Sequence, residues 1–116
     1  MSPAAEWPEA LDALVAAPAH HRLVLENDRV RVLDTLIGPG ERTPVHTHQW
    51  PAVHLIRSWS AFVRRDAEGN VLLDTRAGAG PSDPPSVLWG DPLGPHSLEN
   101  VGVTPLHVVS VELKSR

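Results

Sequence analysis

The sequence predicts an all-β protein, an antiparallel barrel or sandwich with one short helix at its N-terminal end. Three observations carry this. First, 12 prolines and 8 glycines punctuate a chain of 116 residues. The Val/Leu-rich runs between them are a few residues long, the spacing of many short strands joined by turns. Second, a helical period occurs at one place, near the N-terminus. Third, tyrosine is absent and phenylalanine occurs once, so leucine, valine and four tryptophans must fill a core of modest size.

The elements follow in order. Residues 7–17 read as the helix: Pro8 suits a first turn, Glu9 and Asp12 lie toward the positive end of the dipole, and Leu11, Leu14 and Val15 form an apolar stripe before Pro18 stops it. Residues 22–26 and 29–37 read as strands around an Asn27-Asp28 turn, with Val30 and Val32 facing one way and Arg29 and Arg31 the other. Gly38-Pro39-Gly40 ends the second. Strands are expected at 52–56, 61–65, 70–75, 87–89, 96–101 and 106–113, the last apolar on both faces. Residues 77–85 read as a loop by composition. Two parts result: an N-terminal helix and lead-in over 1–21, and one β domain over 22–116.

Composition excludes several functions. There is no cysteine, so disulfides, thiolate zinc sites, iron–sulfur clusters and a cysteine nucleophile are ruled out, and any metal must be held by nitrogen and oxygen. The net charge is −4 with the basic residues dispersed, unlike the basic stripe that nucleic acid requires. No apolar run approaches the ~20 residues of a membrane span. The first residues lack the basic-then-apolar pattern of a signal peptide, so a cytoplasmic protein is expected.

The chemistry concentrates in residues 43–54, Thr-Pro-Val-His-Thr-His-Gln-Trp-Pro-Ala-Val-His. On a strand, side chains two apart share a face, so His46 and His48 project together and can share one metal ion. His54 falls in the same phase if the strand continues through Pro51. Trp50 shares that parity and is a candidate pocket wall. Trp59 and Trp89 read as plain core, His20 and His21 as surface histidines outside the site, and His107 as outward. Arg57, Arg64, Arg65 and Arg76 read as solvated, and can bind an anionic substrate only if they turn inward.

Two motifs in these residues resemble those of the cupin superfamily. Gly40, five residues, His46, Thr47 and His48 match the first half of G-x5-H-x-H-x3,4-E-x6-G. Pro95, His96 and Asn100 match a second motif ending in P-H-x3-N, with Gly90 and Gly94 in the turn before it. The resemblance covers about residues 22–113. It implies a jelly-roll barrel of two antiparallel sheets with a pocket in its mouth, and a divalent metal held by His46, His48 and His96. The family's glutamate would fall at 52 or 53, where this chain has Ala52 and Val53. Three histidines suffice for zinc with an open position, and iron, manganese, nickel and copper stay open. His54 is the candidate replacement: it can bind the metal, hydrogen-bond a bound water or contact substrate. Asn100 is expected to brace a turn.

The resulting expectation is a metal-dependent enzyme of dioxygenase, isomerase or lyase type acting on a small organic molecule, with His54 as the nearby acid or base and His54 and Trp50 contacting substrate. The alternative is a non-catalytic module that binds a small molecule or metal. A homodimer is expected, because a small barrel leaves sheet edges to cover.

Overall fold

A computed structural model describes residues 7–77 and 84–114. Most of the loop expected at 77–85 lies outside the described residues. Nine strands form: β1 (His21–Glu26), β2 (Val30–Ile37), β3 (His46–His48), β4 (Ala52–Ser58), β5 (Phe62–Asp66), β6 (Val71–Asp74), β7 (Val87–Gly90), β8 (Leu93–Asn100) and β9 (Leu106–Leu113). They make a five-stranded sheet in the order β1-β2-β9-β4-β7 and a four-stranded sheet in the order β3-β8-β5-β6. Every strand pairing is antiparallel. This is the all-β jelly roll the sequence led to expect.

Glycine is required where the backbone enters the left-handed region. Gly40 (φ 81°) and Gly69 (φ 91°) do so, one before the histidine stretch and one in the β5–β6 turn. The Gly40 N–H donates to the Asn100 carbonyl at 2.9 Å, which ties the first motif to the second. Asn100 is fully buried. Its amide donates to the Ile37 and Thr104 carbonyls, both at 2.9 Å, and its Oδ1 accepts from the Ser60 hydroxyl and the Gly102 N–H. With both donors and its acceptor engaged, it braces the β8–β9 turn as expected.

The apolar core is small. Ile37, Phe62 and Leu106 form its centre, with Trp59, Leu73 and Leu98 packed on it. Trp59 meets Phe62 edge-on at 5.5 Å between centroids. Trp89, expected in the core, is instead 59% exposed on edge strand β7.

The N-terminal helix differs from expectation. A 3₁₀ turn (Glu9–Leu11) and a four-residue helix α1 (Ala13–Ala16) replace one continuous helix. The break is at Asp12, whose backbone is extended (φ −55°, ψ 144°) and caps Leu14 with its carboxylate. Asp12 bridges to Thr47 and accepts two hydrogen bonds from the Arg31 guanidinium, at 2.9 and 3.0 Å. The short stripe supplied too little helical free energy to compete with that buried ion pair. Arg31, on the face opposite Val30 and Val32 as expected, is 5% exposed, and that face points into the structure with Leu33 and Ile37. Its Nε donates to Glu112 at 2.7 Å. Burial works to raise the Asp12 pKa, but Arg31 wins and holds it below the usual carboxylate value.

Asp12→Ala removes one partner from a buried ion network. It should destabilise the fold by about 3 kcal/mol, read as a lowered urea midpoint at unchanged m-value. A midpoint within error of wild type would show that the network contributes nothing.

Candidate functional site

Four imidazoles converge between the two sheets. His46 and His48 project from β3, and His96 pairs directly with His46 from β8. His21 joins them from the start of β1 in the other sheet. Ring centroids are 4.4 Å apart for His46–His96, 4.7 Å for His21–His46, 5.0 Å for His46–His48 and 5.3 Å for His21–His48. Ligand nitrogens of His21, His46 and His48 all lie within 4.8 Å of one another. The sequence motifs thus bring His46, His48 and His96 together, and the fold adds His21, which sequence reasoning placed on the surface. His21 is 5% exposed.

Each of the four rings has its Nδ1 engaged. His21 Nδ1 meets the Ala17 carbonyl at 2.9 Å, His46 that of Pro44 at 2.8 Å and His96 that of Gly94 at 2.7 Å. A carbonyl can only accept, so Nδ1 carries the proton and Nε2 keeps its lone pair. His48 Nδ1 meets Glu112 Oε2 at 3.0 Å. Burial, followed by charge repulsion from neighbouring histidines, pushes the pKa of His46 down to about 3 and that of His48 to about 3. Burial pushes His21 and His96 down to about 4. All four are pushed toward the neutral form, and the three carbonyl-bound rings present an unprotonated Nε2. Among the described residues, His21, His46 and His48 could hold a divalent metal ion, which neutral imidazole binds through such a lone pair, while His96 lies beside them outside that group.

Glu112 of β9 supports this arrangement. It is 1% exposed, takes Arg31 on Oε1 at 2.7 Å and His48 on Oε2. Burial raises its pKa, with Arg31 opposing. Neither Glu112 nor Arg31 was singled out from the sequence. The available signal was parity: Glu112 alternates with Leu106 and Val108, and Arg31 with Leu33.

The histidines border a cavity of about 150 Å³ within the barrel, the size that accommodates benzene in an apolar core. Its walls are mainly apolar, including Ile56, Phe62, Leu88 and Val108. His54 lines it too, although the strand does not run straight through Pro51. Chain pairing stops at His48 and resumes at Ala52, and β4 recovers the inward phase for Ala52, His54 and Ile56. His54 lies outside the group of clustered rings. Its Nδ1 meets the Ser110 hydroxyl at 2.7 Å, on the residue directly opposite in β9. A side chain at Gly90 would collide with His54 Nε2. Burial lowers the His54 pKa. Its partner is a hydroxyl, which donates or accepts, so this ring is not fixed in one tautomer.

Trp50 does not line this cavity. The break after His48 removes it from the strand's parity, and it stands beside Arg31 and Lys114, at 5.1 and 5.3 Å from its ring centroid. It walls a second depression with Trp7 and Asp12. His107 points outward and meets Asp34 at 2.6 Å, as expected. Arg65 and Arg76 pair with Glu99 and Asp74 near the surface. Arg64, expected to be solvated, turns into the cavity.

No protein-family model matches the sequence, and no curated protein matches it. Solved structures do. A cupin domain from Bordetella pertussis Tohama I is 20% identical with a TM-score of 0.59, covering 82% of this chain and 92% of its own. A protein with a double-stranded beta-helix domain from Klebsiella pneumoniae is 23% identical with a TM-score of 0.53, covering 80% of this chain and 74% of its own. The polyketide cyclase RemF from Streptomyces resistomycificus is 16% identical with a TM-score of 0.51, covering 83% of this chain and 65% of its own.

The four carbonyl- and carboxylate-bound rings give a direct spectroscopic expectation. In metal-free protein at pH 7, long-range ¹⁵N–¹H correlation should show His21, His46, His48 and His96 as Nδ1–H tautomers with unprotonated Nε2. Imidazolium or Nε2–H patterns at these residues would refute the arrangement.

Proposed function

We propose that this chain, which has the cupin fold, is a metal-dependent enzyme acting on a small organic molecule in its barrel cavity. His46, His48 and His96 hold the metal, and His21 supplies a fourth nitrogen in place of the carboxylate missing at Ala52 or Val53. The observation that supports this reading is the convergence of four neutral imidazoles with their Nδ1 atoms tied down. Imidazole donors suit zinc, copper, iron or nickel. A bound metal supplies Lewis acidity toward a carbonyl or carboxylate oxygen.

The chain's own residues do the rest. Apolar walls exclude water and set the size of the ligand. His54 takes or returns a proton through its ring nitrogens, with the Ser110 hydroxyl following either tautomer. That division between fixed imidazoles and one unfixed imidazole favours catalysis over simple binding, and within catalysis it favours proton-transfer chemistry of isomerase or lyase type.

Elemental analysis after reconstitution with iron, zinc, manganese, nickel or copper tests the metal. Stoichiometric metal is expected in wild type, with most of it lost in His46→Ala, His48→Ala and His96→Ala and a marked loss in His21→Ala. His107→Ala should retain it. His54→Ala should retain metal and lose turnover or ligand response. Absence of stoichiometric metal from wild type with all five ions would overturn the reading.

The chain also forms a homodimer in this proposal. β1 is a sheet edge carrying exposed Leu23, Val24 and Leu25, and the adjacent β2 adds exposed Leu36. An apolar edge of this kind is what proteins cover. Sedimentation at micromolar concentration should give a dimer, and Leu25→Lys should shift it toward monomer. A wild-type monomer would overturn this assignment.

A further inference from the structure

The cavity is lined by one cation, Arg64, that has no carboxylate partner among the described residues. Arg64 sits on β5 in the same phase as buried Phe62, and its side chain lines the cavity. Its guanidinium carbon lies 5.8 Å from the Phe62 ring centroid. Its Nε is buried and makes no hydrogen bond, and it forms no ion pair among the described residues. The neighbouring arginines Arg65 and Arg76 each have a carboxylate; Arg64 has none among the described residues. Glu112, the buried carboxylate near the site, spends its two oxygens on Arg31 and His48. Arg64 is close enough to His54 and His96 for its charge to oppose their protonation.

Arg64 is half-buried, and its enclosed Nε has no partner among the described residues, which carries a desolvation cost that a ligand accepting from the guanidinium would offset. Apart from the Thr35 hydroxyl and the Ser110 hydroxyl that meets His54, the rest of the lining is apolar or neutral imidazole, so a group with a single negative charge on a mainly apolar body fits it. The planar fork of arginine matches a carboxylate. We infer that the cavity binds a small monocarboxylate, about the size of benzoate or less, whose carboxylate docks on Arg64 while its apolar part fills the barrel. This rests on the reading of the cavity as the ligand site but not on the metal. Arg64 then fixes which end of the ligand faces the four imidazoles and His54.

The test uses chelator-treated, metal-free protein and calorimetric titration with benzoate, isobutyrate and acetate, each compared with its neutral amide. Wild type should bind at least one carboxylate about tenfold more tightly than its amide. In Arg64→Met that preference should vanish while metal content after reconstitution stays at the wild-type level. Arg64→Gln serves if the methionine variant does not fold. In wild type the Arg64 Nε–H resonance should shift on adding the carboxylate and stay put on adding the amide, a readout that needs no variant. A carboxylate preference surviving in Arg64→Met, no preference in wild type, or no Nε–H shift would each overturn the inference. No carboxylate preference in a wild type that loads metal normally sinks this inference and leaves the metal reading standing. Carboxylate preference without metal uptake does the reverse.

Discussion

Arg31, clamped between Asp12 and Glu112, is the interaction on which the site depends. All three residues are buried. The clamp joins the N-terminal segment to β2 and β9, and one oxygen of Glu112 continues it to His48. Two carboxyl groups share one guanidinium, and one of them, Glu112, stands one imidazole away from the candidate metal position. The chain lacks a carboxylate at 52 or 53, yet Glu112 places a carboxyl group nearby, hydrogen-bonded to His48. A hydrogen bond of this kind fixes the ring's orientation and strengthens its free nitrogen as a donor.

The same clamp explains why the helix fails and why His21 is where it is. A continuous helix over 7–17 would turn Asp12 away from Arg31. With the chain extended at Asp12, α1 ends so that the Ala17 carbonyl meets His21 Nδ1. The fourth imidazole is therefore positioned by backbone from a segment that contributes no ligand itself.

The strands were legible because proline and glycine mark nearly every turn, and each predicted strand lies within a few residues of an observed one. His46, His48 and His96 were legible because alternation and motif spacing are local. His21 was not, since nothing near it in sequence states that β1 ends beside β3. Trp50 misled because parity was carried past His48, where pairing stops. Arg31, Arg64 and Glu112 share one signature that was present in the sequence: a charged residue on the phase of Leu33, Phe62 or Leu106. A charged residue on an apolar phase is rare unless it is paired or used, and here two are paired with each other.

Arg64 is the third such residue, and its difference from the other two carries the chemistry. Arg31 is neutralised inside the fold, so it serves structure. Arg64 has the same burial problem without the same solution, in a cavity where low polarisability strengthens any charge–charge contact well beyond its value in water. An isolated cation beside four neutral nitrogens makes the cavity electrostatically one-sided. A ligand with one charged end can satisfy Arg64 in a single orientation, with an apolar body against the largely apolar walls. In the proposed site, orientation would be set by one residue of β5, while the imidazoles come from β1, β3, β4 and β8. Placing recognition and chemistry on different strands lets one change without displacing the other.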